Sequence, residues 1–148
     1  MGIGPIVQEG WPSAERLATG RAFPSERASV ARARQWTADT LSIWGLAPHS
    51  RPSDDIVLCV SELVSNAVQH AHSAPVVELR PDDATILVMV TDQRPDLRPV
   101  IAARPEDTGR GLRVLRDLAD SWGVGYSAVE QHSKTVWCQF AMPAGPVA

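Results

Sequence analysis

Between Pro52 and Ala71 the chain runs for roughly five helical turns with its apolar residues in one sector, and no other segment constrains the fold as much. Ile56, Val60, Leu63, Val64, Ala67 and Ala71 fall together when each residue is advanced by about 100°. Pro52-Ser53-Asp54-Asp55 puts small polar and acidic residues at its start, where free amides and the positive dipole end favour them. The apolar sector must face a core. Glu62, Asn66 and His70 form a line at i, i+4 and i+8, displaced to one side of the stripe rather than opposite it. Polar groups at the edge of a core face require an explanation.

The flanking segments supply what that helix would pack against. Ser25-Glu26 opens an earlier helix over about 26–44, with Val30, Ala33, Arg34, Thr37, Ala38, Leu41 and Trp44 on one face and Gly45 ending it. After Pro75 the residues 76–80 and 85–91 read as two strands joined by a turn at Pro81-Asp82-Asp83. In the second strand Ile86, Val88 and Val90 point one way and Leu87 and Met89 the other, which predicts a central strand buried on both faces and closed by Asp92. A third helix starts at Leu112, directly after Gly109-Arg110-Gly111, and ends near Asp120. Trp122, Val124, Tyr126 and Ala128 alternate, Glu130 to Ser133 turn the chain, and Val136, Cys138 and Phe140 alternate again as a last hairpin. The expected architecture is α+β, a two-layer sandwich of a mixed, mainly antiparallel sheet with helices on one face. Residues 1–20 lack a period and read as a flexible tail, leaving 21–148 as one domain.

Composition narrows the function classes. A hydrophobic share of 44% in 148 residues supports a packed core, and a net charge of −3 without a basic run argues against nucleic acid or an anionic membrane as partner. The N-terminus has neither a basic n-region nor a long apolar stretch, so a cytoplasmic protein is expected. Cys59 and Cys138 lack metal-ligand spacing and read as buried thiols, and the tryptophans as core or interface. Lys134 is the sole lysine among 14 basic residues.

Several positions carry possible chemistry. Glu62 and Asn66 lie one turn apart, so Asn66 could ligate a hard cation such as Mg²⁺ while Glu62 orients or deprotonates a nucleophile; the same spacing suits a solvated helix flank. Gly109-Arg110-Gly111 before a helix offers backbone amides to a phosphate, or is a simple glycine turn. Asp92 could accept a hydrogen bond from a purine amine, which would favour ATP over GTP, or could begin a turn. Residues 93–108, with Pro95, Pro99 and Pro105, form a loop of a length that in so small a domain is usually functional or disordered.

In that order, Glu62-Leu63-Val64-Ser65-Asn66-Ala67-Val68-Gln69-His70-Ala71 resembles the N box of the Bergerat-fold ATPases, the superfamily of gyrase, the Hsp90 chaperone, histidine kinases and MutL. Asp92 stands where that superfamily's first glycine-box aspartate stands, although the glycine that usually follows two positions later is missing from Asp92-Gln93-Arg94-Pro95. Gly109-Arg110-Gly111-Leu112 resembles the second glycine box, and Lys134-Thr135-Val136-Trp137 the closing strand. Within the superfamily, Ser61 to Ala67 and Trp122-Gly123-Val124 are most similar to the single-domain anti-sigma-factor serine kinases. The resemblance implies Asn66 as Mg²⁺ ligand, Glu62 as general base toward a protein serine, and Asp92 against the adenine amine with Thr135 near the same ring. It further implies phosphates on the 109–111 turn, Arg110 near the terminal phosphate, and 93–108 as a lid. The implied ligands are ATP and Mg²⁺. The implied partners are a STAS-type anti-anti-sigma protein and a sigma factor, with a possible homodimer. The rival reading is a non-catalytic, nucleotide-gated protein-binding module.

Overall fold

The computed structural model describes residues 18–82, 84–93, 110–126 and 133–142. Among them lie β1 (Thr19–Ala22), α1 (Ala28–Ile43), α2 (Arg51–Gln69), β2 (Val76–Asp82), β3 (Thr85–Asp92), α3 (Arg110–Leu118), β4 (Ser121–Tyr126) and β5 (Lys134–Ala141). The strands form one sheet in the order β1-β2-β3-β5-β4, and each described pairing is antiparallel. The fold is therefore α+β with the helices on one side of the sheet, and no parallel pair occurs among the described strands.

Local chemistry explains where the helices stop. At the end of α1, Gly45 takes φ 93°, its N–H donates to the Ser42 carbonyl, and the Leu46 N–H donates to the Leu41 carbonyl at 2.9 Å. This is the paired C-terminal closure that glycine permits, with Leu41 and Leu46 both buried in the core beside it. The N-cap of α2 is Ser50 in extended conformation, followed by a proline in the first turn and by Asp54, whose N–H donates to the Ser50 carbonyl at 2.9 Å.

The sheet's inner face carries the core. Val77 and Leu79 of β2, Ile86, Val88 and Val90 of β3, and Val136, Cys138 and Phe140 of β5 are buried in cross-strand rows. They pack against Cys59, Val60, Leu63, Val64 and Val68 of α2. Both cysteines are free and buried.

Three details depart from the sequence reading. The outer face of β3 is only half-buried at Leu87 and Met89, because the helices cover one face of the sheet and not two. Thr19 and Gly20 belong to the edge strand β1 rather than to a tail, held by the register Thr19↔Leu79 and Gly20↔Glu78. Helix α3 takes in Arg110 and Gly111, two residues earlier than the apolar period suggested, and ends at Leu118.

On the outer face Gly123 of β4 lies opposite Trp137 of β5, and a Cβ built on it would meet the indole at 2.7 Å. A β4 side chain there and Trp137 cannot share the space. Gly123→Ala is therefore expected to lose about 1–3 kcal/mol in denaturant unfolding. Gly125→Ala, two residues on and with nothing within 4 Å of its added carbon, should leave the midpoint nearly unchanged.

Candidate functional site

Helix α2 presents Glu62 and Asn66 on successive turns, each half-buried, beside Leu63 and Ala67, which are fully within the core. Two oxygen-bearing side chains thus flank a buried stripe, where water is thinned but not excluded. Asn66 also marks the end of the helix: its carbonyl accepts from the His70 N–H at 3.0 Å and from Ala71 at 3.2 Å. His70 itself is exposed at the helix cap, as a packing or capping residue would be.

The chain then folds back toward the sheet. His72 takes φ 48°, the Ser73 N–H donates to the Ala67 carbonyl at 3.0 Å, and the Ser73 hydroxyl accepts from the Gln93 N–H at 2.9 Å. Ser73 is buried, so this polar link ties the end of α2 to the residue directly after β3. Asn66 and Asp92 are thereby held at one end of the layered structure, by two hydrogen bonds and the turn between them.

Asp92 is the last residue of β3 and sits opposite Lys134, the first of β5. Lys134 Nζ lies 3.0 Å from each Asp92 carboxylate oxygen, with the two side chains only 6% and 9% exposed. The pair is the final rung of the inner row that runs Ile86–Phe140, Val88–Cys138 and Val90–Val136, so an apolar ladder ends in a buried carboxylate–ammonium contact. Thr135 occupies the other face. Its hydroxyl bonds to the Thr91 hydroxyl at 2.6 Å, away from Asp92, because consecutive strand residues point to opposite sides. Thr135, which the resemblance puts near the adenine ring, lies on the opposite face of β5 from Lys134, the residue that contacts Asp92.

Gly109 and the expected lid residues 94–108 lie outside the described residues. Arg110, Gly111 and Leu112 form the first turn of α3, which packs against α2. The leading amides of a helix lack intrahelical acceptors and sit at its positive dipole end, the backbone arrangement that suits a phosphate.

The chain's sequence matches the family described as histidine kinase-like ATPase domain over residues 23–140. It belongs to the histidine kinase-like ATPase family. The match spans all three helices and β2–β5 and includes Glu62, Asn66, Asp92 and Lys134. No curated protein matches the chain significantly. Among solved structures, the RsbU and RsbW domains of Rv1364c from Mycobacterium tuberculosis share the fold with a TM-score of 0.65 at 19% identity. That alignment covers 88% of this chain and 34% of the other, so this ATPase domain spans about a third of the length of the protein it resembles.

Lys134 is the residue the sequence reading passed over. Two signals marked it: it is the sole lysine, and alternation back from Phe140, Cys138 and Val136 places it, not Thr135, on the core side. A lysine with no apparent core role at that parity must find a partner. Lys134→Ala is expected to cost about 3–5 kcal/mol, since it leaves the Asp92 carboxylate buried without its ammonium. Asp92→Val/Lys134→Met, which extends the apolar row by one rung, should cost less than the single change. Thermal or denaturant unfolding of the three proteins checks the order.

Proposed function

We propose that this ATPase domain is an anti-sigma-factor serine kinase, acting in the cytoplasm on a STAS-type anti-anti-sigma protein and holding a sigma factor when that protein is phosphorylated. The observation that carries the reading is the pair Glu62 and Asn66, one turn apart and half-buried at the rim of the α2 core stripe, in a chain of the histidine kinase-like ATPase family. The segments Ser61 to Ala67 and Trp122-Gly123-Val124, which resemble the anti-sigma serine kinases, and a fold shared with a structure containing an RsbW domain, support the choice within that family.

The donor set fits Mg-ATP. Mg²⁺ takes one or two protein oxygens and fills its shell with water and phosphate, and Asn66 offers a neutral amide oxygen at a wet core edge. When bound, the ion would offset phosphate charge. Glu62 would accept the proton from the partner's serine hydroxyl as that oxygen attacks the γ-phosphorus and ADP departs, so the new O–P bond forms as the β–γ bridge breaks. The α3 N-terminus would cradle phosphates with its leading amides, and Asp92 would read the base. A copy of the same chain could complete a homodimer, as the resemblance implies.

Asn66→Ala is expected to abolish Mg²⁺-dependent ATP binding in calorimetry; unchanged affinity would place the metal elsewhere. Glu62→Ala should still bind Mg-ATP and the partner, while labelled phosphate transfer to the partner serine falls about 10²- to 10⁴-fold. Transfer equal to wild type would remove Glu62 as base. Nucleotide-dependent partner binding with no transfer by the wild type would identify a gated binding module instead.

A further inference from the structure

The turn between α2 and β2 holds one residue in a backbone conformation that a side chain disfavours. His72 takes φ 48°, in the left-handed region that residues with a Cβ rarely adopt. Its own side chain is exposed and gains little from packing there. The residue that gains is the next one. Ser73 is buried, its N–H donates to the Ala67 carbonyl at 3.0 Å, and its hydroxyl accepts from the Gln93 N–H at 2.9 Å. Backbone strain of this kind persists where the surroundings fix it, and it gathers at sites whose geometry matters.

We infer that Ser73 is a positioning residue for nucleotide binding, whose hydroxyl bond to the Gln93 amide holds Asn66, near the end of α2, in place relative to Asp92, at the end of β3. The inference rests on the reading of Asn66 as the Mg²⁺ ligand. Asn66 and Ala67 are consecutive, and one turn satisfies both of their carbonyls: Asn66 accepts from the N–H groups of His70 and Ala71, and Ala67 from that of Ser73. On the other side, Gln93 directly follows Asp92 and supplies the donor. A single side-chain oxygen thus joins the two backbone segments that carry the candidate metal ligand and the candidate base reader.

Burial and directionality separate the work of this bond from that of the core. The apolar stripe of α2 holds the helix to the sheet through hydrophobic contact, which is non-directional and resists small displacements along the helix only weakly. A hydrogen bond has a defined length and angle, so the Ser73 contact fixes a displacement that the stripe leaves soft. It does so at the end of α2 where Asn66 stands. Mg²⁺ demands near-ideal octahedral geometry, and an amide oxygen that drifts from its place is a poorer ligand. A clasp that only closed the core would act alike on every form of the nucleotide, whereas a positioning residue acts on the form that needs Asn66.

Calorimetry with ATP, in Mg²⁺ and in EDTA, tests the inference on the wild type, Ser73→Ala and Ser73→Thr. Ser73→Ala is expected to weaken Mg-ATP about tenfold, as loss of a group that orients a metal ligand does, and metal-free ATP less than about twofold. Ser73→Thr keeps the oxygen and should keep Mg-ATP affinity. In the ligand-free protein, amide exchange at Gln93 should be faster in Ser73→Ala than in the wild type. Should Ser73→Ala not fold, Gln93→Pro removes the same bond from its donor side and is expected to show the same split. Equal losses with and without Mg²⁺ make Ser73 a structural clasp and overturn the inference, as do unchanged affinities; either result leaves the nucleotide site standing. A wild type that binds no ATP, or binds it without regard to Mg²⁺, overturns the reading of Asn66 and the inference with it.

Discussion

Burial of one stripe of α2 against the inner face of the sheet is the constraint on which the rest of the structure depends. Cys59, Val60, Leu63, Val64, Ala67 and Val68 are within the core, and each large aliphatic among them contributes roughly 1.5–3 kcal/mol relative to exposure. The stripe also makes the contact between helix and sheet specific. Hydrogen bonding to the Cys59 thiol, together with burial, pushes the Cys138 thiol well above its ordinary value, so Cys138 stays protonated where α2 meets β5. With the stripe seated, the angular offset of Glu62 and Asn66 is no longer free: they must stand at the rim of the core, at the end where β3 and β5 carry Asp92 and Lys134.

The Asp92–Lys134 rung gains little as a stabilising device. Desolvating two charges offsets most of their attraction, and apolar residues of similar volume commonly serve as well or better in such a place. The inner row above it is apolar at every position, Val90 and Val136 included, so continuing that row was open to the fold. The fold nevertheless places a buried charged pair in the inner rung adjoining the end of α2. The same strands thus carry two kinds of inner residue: apolar side chains that pack against α2, and a polar pair that ends the row.

Most of the layer plan was legible because period alone distinguishes helix from strand. The stripe from Ile56 to Ala67, Gly45 as a helix end, and both hairpins follow from residue types whose preferences agree with their tertiary setting. Strand β1 was not legible: Thr19-Gly20-Arg21-Ala22 has no apolar alternation, and only its pairing with β2 defines it. Leu87 and Met89 misled for a related reason, since an apolar residue on a strand does not reveal whether a second layer covers it. Glu62, Asn66 and Asp92 stand out as candidates by type and order. The Asp92–Lys134 contact was not legible, since only the alternation of β5 puts Lys134 on the inner face and Thr135 on the outer one.

The most direct test of a nucleotide site between the end of α2 and the β3–β5 rung is amide hydrogen exchange of the full chain with and without Mg-ATP. The account predicts slowed exchange in the segments around Glu62 to Ser73, around Asp92 and Gln93, at the start of α3, and at Ser133 to Val136, with β1 unchanged. Calorimetrically confirmed ATP binding that leaves those segments unaltered, or that protects only the outer face and β1, would contradict it.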